Sequence, residues 1–219
     1  MSKGSALIVG VGPGLGLALA ETFARDGNPV ALFGRGAERL EGYASALTAE
    51  GHTARAYQAD AADPEGLRAG LVRAADDLGA PELLVYNAAV LGPDTPTGTD
   101  PADFAHTLAV NVTGAVVAAR TVLPLLSGGR GSLLFTGGGF ALRPSPEYTS
   151  LSVGKVALRA YVQTLHAQQQ GSGVHVTTVT VAGYIGGEDP RFAPASLAAA
   201  YLDLHHQPQD QWQAELLYT

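Results

Sequence analysis

Apolar and polar positions along this chain switch repeatedly between two periods. Short runs of consecutive apolar residues predict buried strands at SALIVGV (5–11), PVALFG (29–34), ARAYQA (54–59), ELLVYNA (82–88) and GSLLFTG (131–137). The run VHVTTVTVAG (174–183) is β-branched and too polar for a buried helix, and AELLYT (214–219) adds a short final strand. Between these runs the apolar residues fall at helical spacing. Such stretches cover 15–26 before a Gly27 stop, the amphipathic AERLEGYASALTAEG (37–51), then 64–78, 101–126, 149–170 and 195–206. The pattern predicts one long helix over 101–126, with Asp100 as N-cap and Pro101 in the first turn.

Apolar strands separated by helices of this length predict an α/β fold, a doubly wound parallel sheet of about seven strands with helices on both faces. No linker or internal repeat divides the chain, so residues 1–219 read as a single domain. Ligands in such sheets bind at the carboxyl ends of the strands, where the topology switches direction. Those ends are Gly10, Gly34 with Arg35, Asp60, Asn87, Gly137 to Gly139, and Gly183. They are polar or glycine-rich, whereas the strands behind them are apolar.

Composition narrows the classes. Apolar residues make up 46% and charged residues 15%, which excludes a disordered chain. The formal net charge of −7 gives no electrostatic reason to expect nucleic acid or an anionic membrane as partner. With no cysteine there are no disulfides, thiolate nucleophiles or thiolate zinc sites, in keeping with a cytoplasmic protein. The glycines and proline of ALIVGVGPGLGLALA argue for a strand and turn rather than a secretory leader. Asn111, Thr113, Arg120 and Pro124 make 108–126 a poor membrane span. The six histidines show no metal-ligand spacing, and no metal is expected.

The first candidate chemistry is VGVGPGLG (9–16), which joins a strand to a helix through Gly10, Gly12, Gly14 and Gly16. Glycines there let backbone approach a pyrophosphate, and the helix N-terminus offers free N–H groups and a partial positive charge. The strand–turn–helix context is the one that a dinucleotide site requires.

The spacing Gly10-xxx-Gly14-x-Gly16 resembles the turn of the short-chain dehydrogenase/reductase family. Further along, VYNAA (85–89) is similar to that family's Asn-Asn-Ala-Gly segment, with Tyr86 for the first Asn and Ala89 for the Gly. NVTG (111–114) resembles its helix-four asparagine motif, LSVGK (151–155) its Tyr-xxx-Lys signature, and VAG (181–183) its Pro-Gly turn. The segments follow the family order over nearly the whole chain, which is identified as a divergent, Rossmann-like member. The resemblance implies cofactor contacts from Gly10, Gly12, Gly14, Leu15 and Gly16, from Asp60 and Ala61 at the adenine edge, from Asn87 and Ala88 along the adenosine ribose, and from Lys155 and Gly183. FGRGAERL (33–40) places Arg35 just past the second strand with no carboxylate before it, so NADP(H) is favoured over NAD(H). The resemblance also implies a homodimer or homotetramer paired through 101–126 and 149–170, a small-molecule substrate, and a substrate-side lid over roughly 184–212. Tyr201, His205 and Trp212 are candidates to line that side.

Family chemistry, as the resemblance implies it, uses a tyrosine as proton donor, a lysine one turn later that lowers the tyrosine pKa and binds the nicotinamide ribose, a serine that orients the carbonyl, and an asparagine in a proton relay. Asn111 and Lys155 match. Leu151 stands at the tyrosine position, and Gly138, thirteen residues earlier, at the serine position. Leucine moves no proton and glycine has no hydroxyl. Tyr148 is the leading substitute donor. It lies seven residues before Lys155, about 10 Å along a regular helix, and PSPEY allows an irregular helix start. Tyr184 is a second candidate, and Gly138, Leu151 and Tyr184 form the substrate side. The expectation is an NADP(H)-dependent oxidoreductase for a small carbonyl or alcohol, or a conjugated C=C or C=N compound, with an atypical site. The alternatives are a catalytically silent NADP(H)-binding sensor or partner protein, and a non-redox isomerase or cyclase on the same fold.

Overall fold

A computed structural model of the chain describes residues 3–126, 128 and 131–219. Strands and helices alternate as β1 (Ser5–Val9), α1 (Leu15–Arg25), β2 (Val30–Gly34), α2 (Ala37–Ala49), β3 (Ala54–Gln58), α3 (Pro64–Leu78) and β4 (Pro81–Tyr86). They continue as α4 (Pro101–Leu108), α5 (Gly114–Val122), β5 (Gly131–Thr136), α6 (Thr149–Gln168), β6 (Val174–Val181), α7 (Pro194–His206) and β7 (Glu215–Tyr218). The seven strands form one parallel sheet in the order β3-β2-β1-β4-β5-β6-β7.

Strand period two explains why the apolar runs are continuous. Leu7, Val9, Phe33, Leu84, Tyr86 and Phe135 face one core with α3, α5 and α6. Ala6, Ile8, Leu32, Leu83, Val85 and Leu134 face a second core with α1, α2 and α7. Alternate side chains point to opposite faces and both faces are covered, so the central strands read as nearly continuous apolar runs.

The predicted helix over 101–126 is interrupted. A π-helical turn, Ala109–Thr113, separates α4 from α5, and a 3₁₀ turn, Leu123–Leu125, follows. Its cause is local competition for hydrogen bonds and space. The Tyr86 hydroxyl donates to the Val110 carbonyl at 2.5 Å, Asn111 Oδ1 accepts from Val90 N at 2.7 Å, and a Cβ at Gly114 would stand 2.3 Å from Tyr86 Oη. An extra residue in the turn relieves that crowding. By length and mean hydropathy of 1.6 the stretch Pro101–Leu125 would suffice to cross a membrane, yet Val110, Ala115, Ala118, Ala119 and Val122 are buried in the core against the sheet.

Capping follows the sequence in part. Asp63 caps α3 through Glu65 N and Gly66 N, both at 3.1 Å, and Asp100 caps α4 through Ala102 N at 2.8 Å. The N-terminus of α6 is capped from a distance, by Asp94, which accepts from Ser150 N and from the Ser150 hydroxyl. These bonds hold the Asp94 carboxyl below its usual range.

The core of segment 184–212 is α7, a structural helix, while Tyr184 and Ile185 at its start line the cleft. Leu197, Ala198, Tyr201 and Leu204 of α7 are buried against the sheet. Tyr201, His205 and Trp212 therefore do not line the substrate side. Tyr201 is fully buried, His205 Nδ1 meets Ser132 Oγ at 3.0 Å, and Trp212 stacks on His175 at 4.9 Å. The family resemblance implied a lid here, but Tyr201 and His205 of α7 pack inward and Trp212, beyond the helix, packs on His175.

Strand β7 is fastened by Glu215, which accepts from Arg159 Nε at 2.8 Å and Nη2 at 2.6 Å, and from Thr180 Oγ1 at 2.6 Å. The Arg159 hydrogen bonds hold the Glu215 pKa below its ordinary 4.5, so this stabilisation is present above pH 4.5 and lost as pH falls through the lowered value. Glu215→Gln should cost about 1–2 kcal/mol in urea unfolding at pH 7, a figure tempered by partial exposure of the pair. The gap from the unsubstituted protein should shrink as pH drops below 4.5.

Candidate active site

Chain connections leave β1 and β4 in opposite directions across the sheet, which opens a crevice above their carboxyl ends. A cleft of about 1550 Å³ occupies it and runs on over β2, β5 and β6. All the strand-end positions named from sequence line it: Gly10, Gly34, Arg35, Asp60, Asn87, Gly137 to Gly139 and Gly183. Gly12, Leu15, Ala61, Ala88, Tyr148, Leu151, Lys155 and Tyr184 line it too. Gly14, Gly16 and Asn111 lie outside the wall.

The glycines of the first turn divide by function. Gly10 has φ of +95°, and a Cβ there would stand 2.4 Å from Ala88 N; one at Gly16 would meet Gly10 O at 2.4 Å. Gly10 lets the turn fold against the chain leaving β4, and Gly16 lets α1 close against the turn itself. At Gly12 and Gly14 a Cβ would have nothing within 4 Å, so both face open space. Above them α1 begins without a side-chain cap and without an acidic residue in its first turn. Unclaimed backbone N–H groups, a positive helix end and an uncrowded approach fit a pyrophosphate.

At the β2 end the cleft is cationic. Arg35 and Arg39, both exposed, line it beside Gly36, and neither forms an ion pair among the described residues. Arg39 was not among the residues expected from sequence. Its signal was available, because Arg39 lies four residues after Arg35, where α2 begins. Asp60 holds its own loop, accepting from Ala62 N at 2.9 Å.

Behind the β4 and β5 ends runs a chain of hydrogen bonds. The Thr136 hydroxyl lies 2.7 Å from the Tyr201 hydroxyl and donates to Asn87 Oδ1 at 2.9 Å, and Asn87 Nδ2 donates to Gly10 O at 2.9 Å. With Thr136 donating onward, Tyr201 is the donor to Thr136, and burial raises the Tyr201 pKa. Asn111 pins the other side of the cleft floor through both atoms of its amide, to Val90 N at 2.7 Å and Val90 O at 3.3 Å.

Lys155 is buried at 6% exposure, and its Nζ donates to the Thr136 carbonyl at 2.7 Å. A carbonyl is a neutral partner. Burial without a counter-ion brings the Lys155 pKa from 10.5 down to about 8. Its stem passes Gly138, where a Cβ would stand 3.6 Å from Lys155 Cε, an ordinary contact. Leu151, 6% exposed, stands one turn before it. Tyr148 is the N-cap of α6 with non-helical φ and ψ of −142° and 55°, the irregular helix start that PSPEY allowed. Its ring stacks on Phe140 at 5.2 Å. Ser152 is taken up internally, accepting from Ser145 N at 3.0 Å. Tyr184 is 82% exposed at the rim, and Gly183 is dictated by the Phe192 ring, which a Cβ would overlap at 2.2 Å. Among the described residues no group of three acidic, histidine or cysteine side chains is arranged to hold a metal.

A doubly wound sheet with a glycine turn at its switch point defines the class, a dinucleotide-binding α/β domain. The particular family follows from comparison: the short chain dehydrogenase profile matches residues 5–186, and the chain belongs to that family. Among its relatives, 2-(S)-hydroxypropyl-CoM dehydrogenase 3 of Xanthobacter autotrophicus is 30% identical over 173 residues, 78% of this chain and 68% of that protein. The 1-deoxy-11-beta-hydroxypentalenate dehydrogenase of Streptomyces exfoliatus is 32% identical over 179 residues, 80% of this chain and 65% of that protein. The matches thus span about two thirds of these relatives' length. A metagenomic short-chain oxidoreductase solved in complex with NADP superposes with a TM-score of 0.89 over 99% of this chain and 96% of that one, at 20% identity, a likeness of fold.

The Lys155 shift has a measurable sign. An amine whose folded pKa is depressed burdens the folded state while protonated, and the burden lifts between the folded and unfolded values. The nucleotide-free protein should therefore gain stability relative to Lys155→Met between pH 8 and pH 10.5, by up to about 3 kcal/mol in urea titrations.

Proposed function

We propose that this chain is an NADP(H)-dependent oxidoreductase for a small carbonyl or alcohol, or a conjugated C=C or C=N compound, working without the usual tyrosine and serine. The observation that carries this reading is one continuous cleft, with paired arginines at one end, an uncapped helix over open glycines in the middle and a buried lysine at the other. Arg35 and Arg39 would hold the 2′-phosphate, Gly12 and Leu15 the pyrophosphate, and Lys155 the nicotinamide ribose. A nicotinamide bound there supplies or accepts the hydride.

The chain's own residues must then move the proton. Leu151 cannot, and Gly138 offers no hydroxyl. Tyr148 presents a phenol on the cleft wall, held by Phe140, and its hydroxyl has no hydrogen-bond partner among the described residues. It is the side chain best placed to act as general acid. The silent-sensor reading would be favoured by a cleft closed at this end. Leu151 and Phe140 instead form part of an open wall, which favours an enzyme.

Calorimetric titration with NADPH and NADH tests the cofactor. Arg35→Ala and Arg39→Ala should each weaken NADPH about tenfold or more and leave NADH nearly unchanged, as loss of a charge-assisted phosphate contact predicts. Equal losses for both nucleotides would overturn the NADP(H) assignment.

Turnover of NADPH across a panel of carbonyls and imines tests the chemistry. Tyr148→Phe should lower kcat about a hundredfold with NADPH affinity intact, the usual scale of general acid catalysis. Full activity in that variant would remove Tyr148 from the mechanism, and tight NADPH binding with no turnover on any compound would sink the oxidoreductase reading.

A further inference from the structure

The far end of the cleft carries a cation that neither the cofactor nor the fold employs. We propose that Arg143 selects the substrate, and that the substrate bears an oxyanion such as a carboxylate, sulfonate or phosphate ester on a flat apolar body. This inference rests on the oxidoreductase reading for the reaction, but not for the binding.

Charge gives the first support. The chain as a whole is −7, whereas the side chains lining the cleft include four cations, Arg35, Arg39, Arg143 and Lys155, against the single carboxylate of Asp60. An acidic protein that lines one cleft with positive charge raises the local concentration of anions there. Arg35 and Arg39 account for one anionic pole. They cannot serve the other, because β2 and β5 are three strands apart in the sheet order, or about 14 Å at the usual strand spacing.

Local geometry gives the second. Arg143 follows the 3₁₀ turn Gly139–Ala141, beyond the end of β5. Its amide donates to Gly139 O at 3.0 Å, and two residues later Ser145 N donates to Ser152 Oγ of α6 at 3.0 Å. The backbone is thus tied on both sides of the residue. Its side chain is exposed on the cleft and forms no ion pair among the described residues. Lys155, the other cation at this end, is buried and engaged with the Thr136 carbonyl. The guanidinium is therefore the accessible one, and its planar fork suits an oxyanion.

The surroundings give the third. Phe140 and Tyr148 stack at 5.2 Å with an interplanar angle of 20° on the same wall. A flat apolar platform in the same cleft as an arginine whose backbone is tied down fits an aromatic or conjugated acid better than a neutral or cationic compound.

Paired calorimetric titrations of benzoate and its neutral isostere benzamide into the NADPH-loaded protein test this. Benzoate should bind at least about tenfold more tightly, the scale of one charge-assisted contact. Arg143→Gln should abolish the preference, Arg143→Lys should keep part of it, and added salt should weaken benzoate alone. NADPH affinity should be the same in all three proteins. Equal binding of the two probes, no measurable benzoate binding, or a preference that survives Arg143→Gln would each overturn the proposal. Repeating the titrations without nucleotide separates the two readings: failure of NADPH to bind would count against the cofactor assignment, while the benzoate preference would still report on Arg143.

Discussion

Close approach between the turn after β1 and the chain leaving β4 is the constraint on which the cleft depends. Only a glycine at position 10 permits it, since φ is positive and Ala88 N stands 2.4 Å from where a Cβ would be. Asn87 then locks the approach through Gly10 O and passes the restraint to Thr136 and Tyr201. In this way α7, on one face of the sheet, positions backbone at its crest. A buried tyrosine with its hydroxyl satisfied serves here as a rigid post rather than as an acid.

A second constraint is electrostatic. Lys155 is buried opposite a neutral carbonyl rather than a carboxylate, an arrangement that burdens the folded state. Residues that burden folding and line a cleft are commonly kept for what they bind. Gly138 and Leu151 beside it leave space and an apolar wall where the family resemblance implies hydroxyls. In the proposed reaction the proton must therefore come from elsewhere, and the irregular start of α6, which turns Tyr148 out of the helical course, supplies a phenol on the same wall.

The positive lining of the cleft runs against the charge of the whole chain. Arginines at its two ends are separated by the width of several strands, so the sheet sets the distance between the two cationic ends of the cleft. Between them lie uncharged glycines and a helix end, which fit phosphates through backbone N–H groups without adding further charge.

Sequence alone determined the succession of strands and helices along the chain, the parallel doubly wound class and the glycine turn, because each depends on local period or on the steric demand of one residue. The order of strands in the sheet came from the structure. Strand ends in a doubly wound sheet share one edge, which put Arg35 and Asn87 at the cleft; Lys155 lies on α6 and Tyr148 at its start, and only the family resemblance pointed to them. Tertiary structure alone decided the rest. The break in 101–126 sits where Tyr86, distant in sequence, claims the Val110 carbonyl and Val90 claims the Asn111 side chain. The inward face of α7, the remote cap on α6 from Asp94 and the exposed guanidinium of Arg143 likewise depend on which segments meet across the fold. Local spacing records how a segment curls; it does not record which neighbour will claim its polar groups, and that choice is made only when the layers pack.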